Sequence, residues 1–433
     1  MNVCMVVYSG YEIDHRVRHY AEALAEKNEH VDVISLSWKH GRGEKGVLEG
    51  VHIYRVQKKM PAQKKPLAYL FNVLLFFVKG SMLLLSRHIK RRYDVIHIHN
   101  MPDFLIFMGL LPKLLGAKLI LDIHDVVPEL YCQKFNRTMD SSPVKLLRLT
   151  ERICVRFADY VIVANDLWMK KIIHRDQIAP DKCSGILNYP DRKYFRAVEK
   201  EHQNDDFTVV YPGTISHHHG IDVAIKAISI ARKTIPNLRF VVYGLSGDPA
   251  YTEYLDRLVE DMKLRDIVAF HEPVKHAELN EIYARSDVGV VPKRGGIFSS
   301  EAFSTKIFDF LAVGLPVIVS RTKIDEYYLD ESTVMYFDPE SAEHLAGCIV
   351  ELYKNPEKRR SLIANGRMYV AENNWEVKKS AYLDIVQRLT GNGQTAKDES
   401  ERQETIRQDV RDQESGERAS ARPFRGEDAG DSR

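Results

Sequence analysis

Residues 298–320 read FSSEAFSTKIFDFLAVGLPVIVS and gather side chains suited to a phosphate-bearing ligand. The pattern predicts a helix from about Thr305 to Val313, closed by Gly314 and Pro316 before a buried strand, PVIVS. Ser304 or Thr305 would cap that helix, and the partly positive amides of its first turn would face an anion. Lys306 adds a mobile cation at the same end. Asp309 lies about one helical turn beyond Thr305, so its carboxylate projects from the same face and can accept two hydroxyl protons, as a ribose diol offers. Glu301, in the loop before the helix, can bind sugar hydroxyls in the same way. Taken alone, a Glu and an Asp at this spacing are more often solvated charges beside an ordinary loop, helix and strand.

Such residues need a frame, and the rest of the chain supplies one. Apolar or β-branched runs (VCMVVYS, VDVISLS, DVIHIH, KLILDIH, YVIVAN) alternate with longer amphipathic stretches, which predicts an α/β domain with a parallel sheet covered on both faces. After a polar, proline-containing linker the alternation resumes with FTVVYPG, LRFVVYG, IVAFH, VGVVP and PVIVS. The expected fold is therefore two Rossmann-like doubly wound domains facing a central cleft, where the carboxyl ends of the strands would hold a ligand. The boundaries are residues 1–187 for the first domain, 188–206 for the linker, 207–365 for the second domain, 366–390 for a C-terminal helix and 391–433 for a charged tail. That tail has almost no apolar residue to bury and is expected to be disordered.

Composition excludes several classes. The formal charge of +2 gives no general case for nucleic acid. Cys4, Cys132, Cys154, Cys183 and Cys348 lie far apart without metal-ligand spacing and read as reduced thiols of a cytoplasmic protein. The opening MNVCMVVYSG lacks a basic leader and reads as a buried strand. Residues 67–86, LAYLFNVLLFFVKGSMLLLS, approach the length of a membrane span, but Lys79 and Gly80 interrupt them. They read as a core helix that is also partly exposed; the basic residues on either side suit it to resting on the inner, anionic membrane surface through 67–92. His217, His218 and His219 are consecutive on a loop and read as polar rather than metal-binding, and no metal or organic cofactor is expected.

The 298–320 passage resembles the signature of the family-4 retaining glycosyltransferases, in which two acidic residues separated by seven others precede a Gly-x-Pro-Val turn. Glu301 takes the first position, and Asp309 the second, where Glu is usual. The form Ser-Thr-Lys-Ile-Phe-Asp-Phe is similar to a Pro-Thr-Lys-Leu-x-Glu-Tyr variant of one branch. The resemblance covers nearly all of 1–390 and includes Gly10, Asp14-His15-Arg16-Val17-Arg18 followed by YAEALAEK, DVIHIHN, LDIHDVVPELY, ERICVRFADYVIVAN, ILNYPDRKYF and YPGTISHHHGID in the family's order.

The resemblance implies a GT-B fold and transfer of a hexose-like unit from a nucleoside diphosphate sugar to an acceptor hydroxyl with retention, in polysaccharide, lipopolysaccharide or glycolipid synthesis. It assigns Glu301 and His124 to catalysis, His124 hydrogen-bonding the sugar or stabilising positive charge at the anomeric carbon through its neutral ring or carbonyl. Gly10, Thr214, His219, Arg294, Ser304, Thr305, Lys306 and Asp309 fall on the donor side. Asp14, Arg16, Asp125 and Glu129 fall on the acceptor side, with Asp125 and Glu129 orienting His124 or touching the acceptor. Thr214 and His219 stand where many relatives carry Arg and Lys, so the diphosphate would rest on Lys306, the helix amides and Arg294. The helix at 375–389 is expected to cross back to the first domain. A nucleotide-sugar epimerase of the same fold and a non-catalytic nucleotide-sugar-binding subunit remain as alternatives.

Overall fold

The computed structural model describes residues 1–37, 45–58, 66–190, 195, 197, 206–274 and 276–391. Most of the expected linker and all but the first residue of the expected tail lie outside the described residues, as do Lys59, Lys64 and Lys65 before the apolar segment. The chain divides into two compact units, Met1–Val386 and Gln387–Arg433; both sheets belong to the first, and the described part of the second is the end of the last helix.

The first sheet contains β1 (Asn2–Val6), β2 (His30–Ser37), β3 (Lys45–Leu48), β4 (Val51–Lys58), β5 (Val95–His99), β6 (Lys118–Ile123), β7 (Tyr160–Val163) and β8 (Cys183–Gly185). Their order is β3-β4-β2-β1-β5-β6-β7-β8, parallel except for the β3–β4 hairpin. The chain leaves β1 towards β2 on one side and later returns to β5 on the other, so the switch point lies between β1 and β5. The central strands β1, β5, β6 and β7 are mostly apolar and almost fully buried because the helices cover both faces. These helices are α1 (His15–Glu26), α2 (Pro66–Lys90), α3 (Leu110–Leu114), α4 (Val127–Phe135), α5 (Ser142–Phe157) and α6 (Asp166–Asp176). Asp14 caps α1 by accepting from the Val17 amide, and Asn165 caps α6 from the Trp168 amide.

The second sheet, all parallel, has the order β11-β10-β9-β12-β13-β14. Its strands are β9 (Phe207–Pro212), β10 (Leu238–Tyr243), β11 (Val268–His271), β12 (Val288–Val291), β13 (Val317–Ser320) and β14 (Met335–Phe337). Helices α7 (Ile221–Ala231), α8 (Pro249–Asp261), α9 (His276–Ala284), α10 (Thr305–Val313), α11 (Lys323–Tyr328), α12 (Ala342–Lys354) and α13 (Pro356–Glu372) enclose it, and α14 (Trp375–Leu389) follows. Its switch point lies between β9 and β12, which puts the 213–220 loop and the 292–304 loop side by side. Trp375 and Tyr382 of α14 pack on the first domain: Trp375 stacks on His19 at 5.0 Å, and the Tyr382 ring lies 4.2 Å from that of Tyr20.

Helix α2 carries two apolar stripes. Val73, Phe76, Gly80 and Leu84 recur at helical spacing, face inward and are buried. Leu67, Phe71, Leu74, Val78 and Met82 form the other stripe and are exposed, Leu67 by 82%. Gly80 allows the close inner approach, since a Cβ there would strike the Met108 methyl. Thus the residue that disfavours a membrane span in the sequence serves packing here.

Candidate active site

At the carboxyl edge of the first sheet, β6 delivers Asp122 and, just after its end, His124; β5 delivers His97 and His99 on one face. Asp122 is fully buried and is the hub. Arg16, on the first turn of α1, donates Nε to Asp122 Oδ2 and Nη2 to Oδ1, both at 2.8 Å, and its Nη1 donates to the Ile186 carbonyl at 2.7 Å. His99 Nδ1 lies 3.0 Å and His124 Nε2 3.1 Å from the same Oδ2. Burial works to raise the Asp122 pKa, but Arg16, His124 and His99 together hold it well below the usual carboxylate range. Burial opposes charge on His124 as well; the Asp122 carboxylate more than offsets it, so the His124 pKa is raised. In His97 and His99 burial wins and both are lowered, which keeps them neutral.

This ring cluster extends to α14, because His97 Nδ1 is 3.1 Å from the Tyr382 hydroxyl. His97, His99 and Asp122 offer nitrogen and oxygen ligands close enough together to hold a metal ion. Both Asp122 oxygens already accept N–H groups of Arg16, however, so the guanidinium supplies the positive charge that the cluster needs.

Across from it, in the second domain, α10 begins at Thr305, with Ser304 in the N-cap position. The Ser304 hydroxyl makes no capping bond and Thr305 is exposed, so the expected side-chain cap is not formed. Lys306 turns back over the Tyr211 ring, 5.6 Å from its centroid, and against Gly213 at the end of β9. Gly213 has φ +118°, a conformation that favours glycine, and a Cβ there would also displace the end of the Lys306 side chain. Burial lowers the Lys306 pKa, with Lys293 acting the same way and Asp309 opposing. Burial pushes Asp309 up to about 7, against the pull of Lys306.

The 213–220 loop is built differently from the expectation. Thr214 is exposed, and its carbonyl accepts from the Tyr211 hydroxyl at 3.0 Å. His219 Nδ1 is 2.9 Å from Ser216 Oγ; burial, with Lys306 and His218 nearby, lowers its pKa to about 3, so it is no cation. The Arg294 guanidinium donates to Asp222 at 2.6 Å, to Glu340 at 2.9 Å and to the His217 carbonyl at 3.1 Å. It braces the loop against α7; Lys306 is the lysine with the larger effect on His218 and His219, beside Lys134 and Lys293. Lys293, not singled out in the sequence, is nearly as buried as Asp325, to which it pairs at 2.8 Å.

Glu301 stands at the junction of the two domains. Its carboxylate pairs with Lys171 of α6 and, at 3.2 Å, with Lys323 of α11, while its carbonyl accepts from Asn165 Nδ2 at 2.9 Å. Burial would raise its pKa, yet Lys171 and Lys323 hold it below the usual range. Gln133 of α4 accepts from the Phe298 and Ser299 amides at 3.1 and 3.0 Å, so the 298–303 loop docks on the first domain along its length.

The acceptor-side expectations divide. Asp14 is half-buried and caps α1; Asp125 is half-buried, with its pKa raised by burial. Arg16 and Glu129 are paired within the first domain. Arg16 is turned inward to Asp122, and Glu129 is buried, accepting from Arg175 at 2.7 Å and pairing with Lys171 at 3.3 Å. Neither presents its charge to an acceptor. Gly10 is buried at φ −79°, a conformation open to any residue, and its carbonyl accepts from the Ile13 amide.

Comparison with known proteins identifies the family. The family description "Glycosyl transferase 4-like domain" matches residues 13–186, and "Glycosyl transferases group 1" matches 194–369. The chain belongs to the group 1, family-4 glycosyltransferases. It is 25% identical over 361 residues to the D-inositol 3-phosphate glycosyltransferase of Paenarthrobacter aurescens (strain TC1), spanning 80% of this chain and 85% of that one. It is 26% identical over 218 residues to the GDP-mannose-dependent alpha-(1-6)-phosphatidylinositol monomannoside mannosyltransferase of Mycolicibacterium smegmatis (strain ATCC 700084 / mc(2)155), covering 49% of this chain and 54% of the relative. Among solved structures, sucrose-phosphate synthase from Thermosynechococcus elongatus superposes with a TM-score of 0.72 at 20% identity, over 91% of this chain and all of the other. The glycosyltransferase therefore has the GT-B fold expected from its sequence.

Proposed function

We propose that this glycosyltransferase moves a hexose-like unit, with retention, from a nucleoside diphosphate sugar to a lipid-linked acceptor hydroxyl in polysaccharide or glycolipid synthesis. The observation that carries the reading is the Lys306–Asp309 pair on α10, with Lys306 laid against Gly213 at the end of β9. Lys306 and the first-turn amides of α10 take the diphosphate, Asp309 the ribose diol and Glu301 the sugar hydroxyls. Departure of the diphosphate builds negative charge on the leaving oxygen, and Lys306 meets that charge without a metal ion. The raised His124 pKa favours its acting as a hydrogen-bond donor to the sugar over stabilising positive charge through a neutral ring. The GDP-mannose dependence of the mycolicibacterial relative supports a nucleotide-sugar donor.

Asp309 gives this reading a pH signature. Its acid form binds a diol poorly, so affinity for the nucleotide sugar rises as pH climbs through about 7. Thermal-shift titration with UDP-, GDP- and ADP-sugars at pH 6 and pH 8, without metal, should show one donor stabilising the wild type more at the higher pH. Asp309→Asn should remove both the stabilisation and its pH dependence. Stabilisation by no nucleotide sugar sinks the proposal, and an epimerised donor among the products moves the assignment to an epimerase.

The acceptor class rests on an outward face. Helices α2, α3 and α5 adjoin, with Lys113 of α3 donating to the Phe157 carbonyl at the end of α5 at 2.7 Å. Besides the outer stripe of α2, Leu114 of α3 and Leu146 of α5 are exposed by 75% and 64%. The three helices carry eight Lys and Arg residues and one acid, Glu151, which is buried; Arg87, Lys113 and Arg152 pair with Asp32, Asp159 and Asp176 from neighbouring segments. Apolar bulk among cations suits the inner, anionic face of a membrane. The protein should sediment with vesicles containing phosphatidylglycerol and much less with phosphatidylcholine alone. Phe71→Ser combined with Leu74→Ser should abolish sedimentation without lowering the melting temperature; unchanged binding would remove the membrane from the reading.

A further inference from the structure

Helix α6 belongs to the first domain, yet it grips one residue of the second domain at two points. Its capping residue, Asn165, donates to the Glu301 carbonyl, and Lys171, farther along the helix, pairs with the Glu301 carboxylate. Beside the cap, the Asp166 amide donates to the Tyr328 hydroxyl, which in turn donates to the Asp166 carboxylate, each at 2.8 Å. The charged groups around Glu301 are Lys171 on α6, Lys323 on α11 and, behind Lys171, Glu129 on α4 with its partner Arg175. They differ in what they can do. Lys323 is 66% exposed, so water and salt screen its pairing. Lys171 is 25% exposed and is itself fixed from behind by Glu129, whose side chain is almost fully buried. A cation held between two carboxylates has little freedom to swing away, and it fixes the direction of the one that faces the donor.

We propose that Lys171 is a positioning residue for sugar transfer: it reaches across from the first domain to aim the Glu301 carboxylate, so the sugar-binding half of the donor site is complete only when the two domains are docked. The nucleotide half, Lys306 and Asp309, lies wholly within the second domain. Nucleotide binding and sugar binding are therefore separable, and docking of the domains governs only the second. This rests on the donor reading above, and it adds to that reading the assembly of the site from both domains.

The separation defines the experiment. In Lys171→Met, affinity for the free nucleoside diphosphate should be unchanged, while kcat/KM for the nucleotide sugar falls about ten- to a hundredfold, as misplacement of a contact group predicts. With Lys171 gone, burial acts on Glu301 against Lys323 alone, so the acid limb of the pH–rate profile moves to higher pH. Lys171→Arg, which keeps the charge and the reach, should return the limb and part of the rate. A donor-independent check is the double-mutant cycle of Lys171→Met and Glu301→Gln in thermal unfolding, where coupling reports that the pair exists. Coupling in unfolding with unchanged transfer and an unchanged pH profile overturns the positioning role and leaves the transferase reading intact. Equal losses of diphosphate and nucleotide-sugar affinity overturn it too, because they mean general damage to the second domain. A wild type that binds no nucleotide sugar overturns the donor reading and this role with it.

Discussion

Lys306→Met should lower turnover by about 10²–10³-fold, the loss found when one preorganised donor to a developing oxyanion is removed. The expectation is this large because the other groups expected at the diphosphate are paired elsewhere or uncharged. Arg294 is bound to Asp222, Glu340 and a backbone carbonyl, His219 is held neutral, and Thr214 carries no charge. Burial lowers the Lys306 pKa, and under the proposed reading a diphosphate bound beside it would favour the charged form again. The variant should therefore fold at least as well as the wild type while losing activity, and differential scanning calorimetry beside steady-state kinetics reads both. Because a diphosphate is bound in ground and transition states alike, the loss should appear in KM as well as in kcat. If Lys306→Met kept turnover within about threefold of wild type, leaving-group stabilisation would lie elsewhere, with the helix amides as the remaining source.

What the sequence made legible follows a physical division. The central strands of both sheets could be read because a parallel strand buried on two faces must be almost continuously apolar, as YVIV and VGVV show. The span of α10 could be read because Gly314, in the left-handed conformation, ends it, as the Gly-x-Pro turn implies. What a charged side chain bonds to could not be read, since partners come from distant segments: Arg16 and Asp122 are 106 positions apart, and Lys171 and Glu301 are 130. Arg16 and Glu129 thus looked free for an acceptor and are instead internal. One signal went unused. His97 and His99 alternate on one face of an otherwise apolar buried strand, a placement too unfavourable for bare imidazoles unless a polar partner lies beneath, and Asp122 on the neighbouring strand is that partner. The β3–β4 hairpin was not read either: β3 is exposed on alternate residues and short, and β4, though Val51 and Ile53 alternate inward, breaks its apolar pattern at Arg55.

The same hub predicts the largest loss of stability. Arg16→Met should destabilise the fold by about 3–5 kcal/mol, because it leaves the fully buried Asp122 carboxylate without its bidentate partner while roughly preserving side-chain volume. Two features separate this cause from lost packing. Adding Asp122→Asn should recover part of the loss, since the neutral amide removes the stranded charge; a packing defect would only deepen. The second is the pH dependence. In the wild type the Asp122 pKa is depressed on folding, so its contribution is present above the unfolded carboxylate value and is lost as pH falls through the folded one. Without Arg16, burial raises that pKa, and acid relieves the variant by protonating Asp122. The stability gap between wild type and Arg16→Met should therefore be widest at neutral pH and narrow on acidification, as measured by urea unfolding between pH 7.5 and 5. A gap constant across that range would mean that Arg16 acts through the Ile186 carbonyl and its packing, leaving His124 to be held by Asp122 and His99 alone.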